Sequence, residues 1–559
     1  MAVVNHAQKI VRELKSFLKD TFGPNGLDVM LFSSSGNILI TNYGSAILKS
    51  VSVSDPVGRI VREQVISLSE VTGDGTTTFM LVLSETLQEI SRSLKISQEK
   101  QNVRELMPEQ KKSVVALSKA FTKVEPVVSQ ILQGLSTYVN LTPLHMPESK
   151  LLITNVIRTH LNGKYPDSIV IQFTELLCTF ILGNSSTFEK EKIEYLIDSF
   201  SQMCLEVVGV PVTLSRVIPG ILVPREFTTE FKRVLPDQGF NYFRFIVIQF
   251  QIDNPSRHLS TTLELNSSSD LDTVLTLPAN NVHKMFRLFQ KQGVKLILST
   301  ETVSNIVLHF CHQFKIAFVQ MIPDEYVALI CHYAKIQPAF ELGLEEATDL
   351  EIYLGKSKSC KIESVGNHGY CHLEFYSTNG CNSLPNQLVL CAPTRGLCQQ
   401  NSISLLNALK CVRMLFSQND GRLQVLPGGG TTEFVLSEEL KKYCRTCKNS
   451  KLSEACSLFS TGLLAVPRQL HLNSQAGSSN KNNFIHLLPT MRDLWCKEQI
   501  PLGINSITGN VFNPAEANIL EPFHGKQFVF SNLLQLIAQL LRVDGIVRVK
   551  GRLATESLT

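Results

Sequence analysis

The 559-residue sequence has no long apolar run and almost no net charge. Its strongest apolar stretches, residues 243–252 and 533–541, fall well short of the roughly 18 residues that span a bilayer. They read as a buried strand and a core helix, and no membrane insertion is expected. Fifty-three Lys and Arg against 49 Asp and Glu leave a net charge of +4. That bias is too small to imply nucleic acid or an anionic membrane as partner. The N-terminus, MAVVNHAQKIVRELKSFLKD, is charged and lacks the apolar stretch of a signal peptide. Without a secretory signal, the 14 cysteines read as reduced thiols of a cytoplasmic protein. The sequons at Asn140, Asn184 and Asn266 are then expected to go unused. Walker A, dinucleotide-fingerprint and nucleophile-elbow strings are also missing.

What is present is a globular composition, 43% apolar and 18% charged, in a chain long enough for three or four domains. Ile10, Val11, Leu14, Phe17 and Leu18 recur at helical spacing, and Gly23-Pro24-Asn25-Gly26 stops that helix. A strand, the turn 34–37 and a second strand follow at Val29–Phe32 and Ile38–Thr41. Residues 45–70 read as helical with a break near Asp55-Pro56, and a long helix resumes after Gly73-Asp74-Gly75. The polar stretch 95–112 reads as a loop. In the middle third, short apolar strands at 245–248, 294–298 and 316–319 alternate with helical stretches at 279–292, 302–313 and 324–335. That alternation predicts an α/β unit with a parallel sheet. Residues 254–270 read as an exposed polar protrusion. From about residue 399 the pattern is helical again, with a terminal strand at 546–549. Helix-rich ends therefore flank an α/β insertion.

Four segments in order carry a more specific likeness: 21–28 (TFGPNGLD), 40–48 (ITNYGSAIL), 73–78 (GDGTTT) and 426–433 (LPGGGTTE). With Gly503-Ile504-Asn505 and Leu520-Glu521-Pro522 downstream, the chain resembles the group II chaperonins of the eukaryotic cytosol and archaea. The strings at 388–397 and 541–547 resemble the Bardet–Biedl-syndrome chaperonin-like branch of that superfamily. The resemblance implies a multidomain α and α/β fold: a helical equatorial domain (1–143 and 411–559), a small intermediate domain (144–212 and 369–410) and an α/β apical domain that contacts substrate (213–368). It also implies partnership with other chaperonin-like subunits and the cytosolic chaperonin. BBSome subunits would be clients, and the location cytoplasmic, extending to centrosome, basal body or cilium. Family rings use terminal strands to pair neighbours. Few residues precede the first helix here, so a stable homo-oligomeric double ring is less expected.

Phosphate binding needs backbone N–H groups unobstructed by Cβ, and a helix N-terminus that favours an anion. Gly23, Pro24 and Gly26 form one such turn. Gly73, Asp74 and Gly75 form a second, opening a helix at Thr76, Thr77 and Thr78. Asp74 is placed to hold Mg²⁺, a hard cation that takes carboxylate and phosphate oxygens. Read alone, the same turn is a helix entry with Asp74 as cap. Gly428, Gly429 and Gly430 would let backbone approach a nucleotide, and Asn505 and Glu521 stand where relatives contact sugar and base. ATP with Mg²⁺ is thus the implied cofactor. Two carboxylates of active relatives are replaced. Tyr43 stands for Asp in the second motif, and Asn407 for Asp in the string Leu406-Asn407-Ala408-Leu409. Asparagine hydrogen-bonds but cannot accept a proton. Nucleotide binding with impaired hydrolysis is the expectation, and an active ATP-dependent folding subunit the alternative. Cys444, Cys447 and Cys456 suggest zinc, but no fourth ligand follows at the usual spacing, and Lys442, Lys448 and Lys451 point to a solvated segment.

Overall fold

In a computed structural model, all residues are described except 1, 33–37, 100–105, 141–145, 184–187, 237–240, 253–267, 343–349, 367, 377–384, 417–421, 475–483 and 546–559. The predicted turn at 34–37, the terminal strand at 546–549, most of the predicted protrusion and the sequons at Asn184 and Asn266 lie outside the described residues. The chain divides into two compact units. One comprises residues 1–178, 189–193 and 403–559, and the other residues 179–188 and 194–402.

The first unit is mainly helical. Every residue of helix Thr76–Glu99 from Thr76 to Leu87 is buried, Phe79, Met80, Val82, Leu83 and Leu87 among them. The first half of this helix is therefore surrounded by the rest of the unit. Helices Ala2–Ser16, Pro56–Thr72, Leu106–Leu135, Ser450–Leu463 and Phe523–Arg542 contribute to the same core, where Phe121, Phe459 and Phe530 are fully buried. Asp55 starts helix Pro56–Thr72: its Oδ1 accepts from the N–H groups of Val57 (2.9 Å) and Gly58 (3.1 Å), and Pro56 fills the first turn. The stretch 95–112, read from sequence as a loop, is instead helical up to Glu99 and again from Leu106. Pro108 sits in the first turn, where its missing N–H costs nothing.

Two small sheets organise this unit. Val29–Phe32 pairs antiparallel with Ile38–Thr41. Arg422–Pro427 lies between Thr137–Asn140 and Leu520–Pro522, antiparallel to both. The register sets Leu426 opposite Glu521, bringing together segments almost a hundred residues apart.

The second unit carries the α/β pattern. Phe243–Ile248, Val294–Ser299 and Ala317–Val319 run parallel, and helices Ser268–Lys291, Asn305–Phe314 and Asp324–Ala334 intervene in sequence. The sheet continues through the antiparallel pair Leu354–Val365 and His368–Phe375 to Ile221–Val223. Ile246, Ile248, Phe286, Phe289, Ile297 and Phe318 fill its helical side. A smaller sheet places Asn386–Ala392 between Cys204–Val208 and Arg216–Pro219. Among the described residues no helix is long and apolar enough to cross a membrane, and every described cysteine is free of a disulfide.

Candidate functional site

The first unit contains a cavity of about 680 Å³. Each wall is a turn that only its glycines permit. Helix Pro56–Thr72 ends at Gly73, whose φ of 74° is left-handed and whose N–H donates to Ser69 O at 2.9 Å. A Cβ on Gly73 would lie 2.3 Å from the carbonyl oxygen of Asn407. A Cβ on Gly75, at φ 88°, would lie 2.7 Å from the Val529 side chain. The two glycines reverse the chain within three residues, so that helix Thr76–Glu99 begins at the cavity wall with Asp74 at the apex. Thr76, Thr77 and Thr78 line the wall, and the first N–H groups of a helix have no intrahelical acceptor. They and the helix dipole favour an anion there.

Of the sequence-predicted nucleotide residues, Gly23, Pro24, Gly73, Asp74, Gly75, Thr76, Thr77, Thr78, Gly429, Gly430, Asn505 and Glu521 all line this cavity. Gly26 and Gly428 do not. The Gly26 N–H closes its own turn on Gly23 O (2.9 Å), and that of Gly428 is spent on Ile519 O (2.9 Å), next to the paired strands Arg422–Pro427 and Leu520–Pro522. Asn505 also serves its own turn: its Oδ1 accepts from the N–H groups of Ile507 (2.9 Å) and Thr508 (3.2 Å). Asn407 is buried beneath Gly73 and is not part of the lining. Cys444 and Cys447 are half-buried and donate to the carbonyls of Ser453 and Asn449.

Tyr43 lines the cavity without filling it. Its side chain is 7% exposed, and its hydroxyl lies 3.3 Å from His160 Nε2. Gly44 brings the backbone so close that a Cβ there would sit 2.6 Å from Thr76 Oγ1. His160, near the end of helix Met146–Leu161, also reaches Asp74 Oδ2 through Nδ1 at 3.2 Å. Lys164 stands over the Tyr43 ring at 4.1 Å from its centroid and 3.2 Å from His160 Nε2. Burial and the Lys164 charge push the His160 pKa down, keeping the imidazole neutral. Burial works against the Asp74 carboxylate, but the His160 hydrogen bond and the Lys164 ammonium hold its pKa well below the usual range. Asp74 is therefore ionised, and Gly75 N–H (2.7 Å) donates to its other oxygen.

A second charged group lies at the far wall. Lys526 pairs with Glu521 at 2.8 Å and with the fully buried Glu433. Burial raises the Glu521 pKa to about 7 against the pull of Lys526, with the Glu433 charge adding to the rise. Lys526, although buried, is held above the ordinary lysine range by its two carboxylates. Sequence reasoning missed His160, Lys164, Cys411, Glu433 and Lys526. Of these only Glu433 falls in a segment that the sequence singles out, the string 426–433.

Chemically, the cavity offers an anion-binding helix start and one ionised carboxylate facing it. Asp74, Asp167 and Glu521 are the carboxylates of its described lining. Asp74 is held by His160 and Glu521 by Lys526, while Asp167 is exposed in the first turn of helix Asp167–Leu182.

Comparison with known proteins agrees with this architecture. The chain is 23% identical to T-complex protein 1 subunit delta of Arabidopsis thaliana, over 96% of this chain and 93% of that one. It is 20% identical to thermosome subunit alpha of Methanothermobacter thermautotrophicus, over 96% and 90%. It is also 23% identical to the mouse BBSome complex assembly protein BBS10, over 75% of this chain and 59% of that one. The TCP-1/cpn60 chaperonin family matches residues 14–551, and with thermosome and T-complex relatives at both ends of the chain the protein belongs to that family, in its group II branch.

Proposed function

We propose that the protein is a chaperonin-like molecular chaperone that assists assembly of the BBSome and retains a nucleotide cavity with impaired hydrolysis. The observation carrying this reading is the engagement of Asp74. The anion-binding turns around it are intact, while its carboxylate is hydrogen-bonded to His160 beside Tyr43, where active relatives place a further acid. ATP fits the residues present: Gly23, Gly73, Gly75, Gly429 and Gly430 give backbone access, and Thr76, Thr77 and Thr78 would hold phosphate. Asp74 would hold Mg²⁺, which supplies charge neutralisation to phosphates when bound. The chain itself provides binding and orientation, and it lacks an unengaged buried base among the described lining to take a proton from water.

The likeness to a BBSome complex assembly protein supports the client class. The equatorial, intermediate and apical assignment of segments, partnership with cytosolic chaperonin subunits, and a cytoplasmic or basal-body location belong to the same reading. The alternative, an active ATP-dependent folding subunit, draws on the presence of Asp74 at the cavity. Affinity purification of the tagged full-length chain from ciliated cells tests the assembly role. BBSome and chaperonin subunits should both be recovered in stoichiometric amounts. Recovery of neither would overturn it.

A further inference from the structure

Nucleotide binding leaves Cys411 of this cavity without a task, and His160 with no more than its bond to Asp74. Among the described residues, Asp74, His160 and Cys411 form a cluster of potential metal ligands whose donor atoms all lie within 4.8 Å of one another. His160 Nδ1 is 3.2 Å from Asp74 Oδ2 and 3.5 Å from Cys411 Sγ. A tetrahedral zinc ion, with bonds of about 2.0–2.2 Å to nitrogen and oxygen and about 2.3 Å to sulfur, separates its ligand atoms by roughly 3.3–3.7 Å. Both separations therefore approach the edges of such a tetrahedron before any metal draws the donors in. His160 and Cys411 are buried, and Asp74 opens onto the cavity. Three protein donors with a fourth position facing open space is the arrangement of a zinc site that keeps an exchangeable ligand.

The surroundings suit the same ion. With Nδ1 on the metal, His160 Nε2 carries the proton and can donate to the Tyr43 hydroxyl at 3.3 Å, fixing tautomer and ring orientation. Lys164 lies on that far side of the ring, 3.2 Å from Nε2, and so is not interposed between the donors; it donates to Nε2 in the metal-free cavity, and zinc binding, which moves the ring proton to Nε2, would turn the ammonium away. Cys411 otherwise has the Thr72 carbonyl at 3.4 Å, a weak bond for a thiol. A sulfur, nitrogen and oxygen set selects a borderline-soft cation over Mg²⁺, which demands oxygen.

We infer that Asp74, His160 and Cys411 form a Zn²⁺ site in the floor of the cavity, with Tyr43 as the residue that orients His160. This goes beyond the nucleotide reading, sets Zn²⁺ in competition with Mg²⁺ for Asp74, and gives Tyr43 a use other than the loss of an acid. The test uses the full-length chain stripped with a chelator and dialysed against Zn²⁺, then separately against Co²⁺. One equivalent of zinc is expected. Cys411→Ser and His160→Gln should each weaken binding at least tenfold, and Tyr43→Phe should do so by about 10- to 100-fold, as for other groups that orient a ligand. A Cys444→Ser, Cys447→Ser double variant should bind as the parent does. The Co²⁺ form should show a thiolate-to-metal charge-transfer band that Cys411→Ser abolishes. Zinc binding unchanged in Cys411→Ser, or Co²⁺ bound without a thiolate band, would overturn the site. If the Cys411 and His160 variants fail to fold, the Co²⁺ spectrum of the Cys444→Ser, Cys447→Ser double variant decides: a thiolate band retained there supports the site, and its loss overturns it. A fluorescent ATP analogue, titrated into the metal-free chain, reports the nucleotide reading separately, so that either can fail without the other.

Discussion

Replacing Gly73 by alanine tests whether the turn at the cavity depends on the backbone geometry described above. Gly73 lies at φ 74°, where a side chain costs about 1–2 kcal/mol. Its new Cβ would also lie 2.3 Å from the carbonyl oxygen of Asn407 and 2.9 Å from Lys410 Cβ. The first neighbour is backbone of helix Arg395–Arg413 and cannot rotate away, so the helix or the turn must shift. Forcing atoms into a packed site costs typically about 1–3 kcal/mol. Together the two effects predict a loss of about 2–5 kcal/mol. Urea unfolding followed by tryptophan fluorescence reads it selectively. Trp495 is the only tryptophan of the sequence, is buried in the first unit and donates to Glu439 Oε1 at 3.0 Å. Gly134→Ala is the control: it lies near the end of helix Leu106–Leu135, and a Cβ there meets nothing within 4 Å. That change should leave stability unchanged or raise it by up to about 1 kcal/mol. A Gly73→Ala midpoint within about 0.5 kcal/mol of the parent would refute the reasoning, because neither the left-handed conformation nor the close approach would then be real.

Asp55→Ala removes the cap that serves Val57 and Gly58, and it should lower stability by about 0.5–2 kcal/mol in the same assay. Glu521 has a folded pKa near 7, raised from 4.5. The folded state therefore binds its proton more tightly, and this group's stabilisation is lost as pH rises from about 4.5 to 7. Glu521→Gln should remove that part of the pH dependence; a profile unchanged between those values would contradict the assignment. His160 has the opposite sign. Its folded pKa lies below 6.5, so stability falls as pH drops below about 6.5 and the unfolded chain takes up the proton. His160→Gln should flatten that acid limb, measured by Trp495 fluorescence across a pH series.

Much of the fold was legible because the periodicities are local. The Val29–Phe32 hairpin, the parallel strands and the helix break at Asp55-Pro56 each follow from spacing and turn residues within a few positions. The glycine turns were equally readable, since φ values of 74° at Gly73 and 66° at Gly429 demand the residue that stands there. The stretch 95–112 was misread because polarity alone does not separate a loop from a helix. His160, Lys164, Cys411 and Lys526 were invisible for a different reason. Helices Met146–Leu161, Arg395–Arg413 and Phe523–Arg542 bring them to one cavity through tertiary packing, and no local motif announces them. Gly26 and Gly428 show the converse error: a motif glycine can spend its N–H on its own turn or on a neighbouring strand rather than on the cavity.

The central claim is that the cavity binds nucleotide without driving efficient hydrolysis. The direct measurement is Mg²⁺-dependent ATP turnover by the purified full-length chain, under conditions where a fluorescent analogue shows the site to be filled. The account predicts saturable binding with turnover lower by about 10²–10⁴ than that of a family member keeping both carboxylates. Turnover at the level of such a relative, abolished by Asp74→Ala, would contradict it.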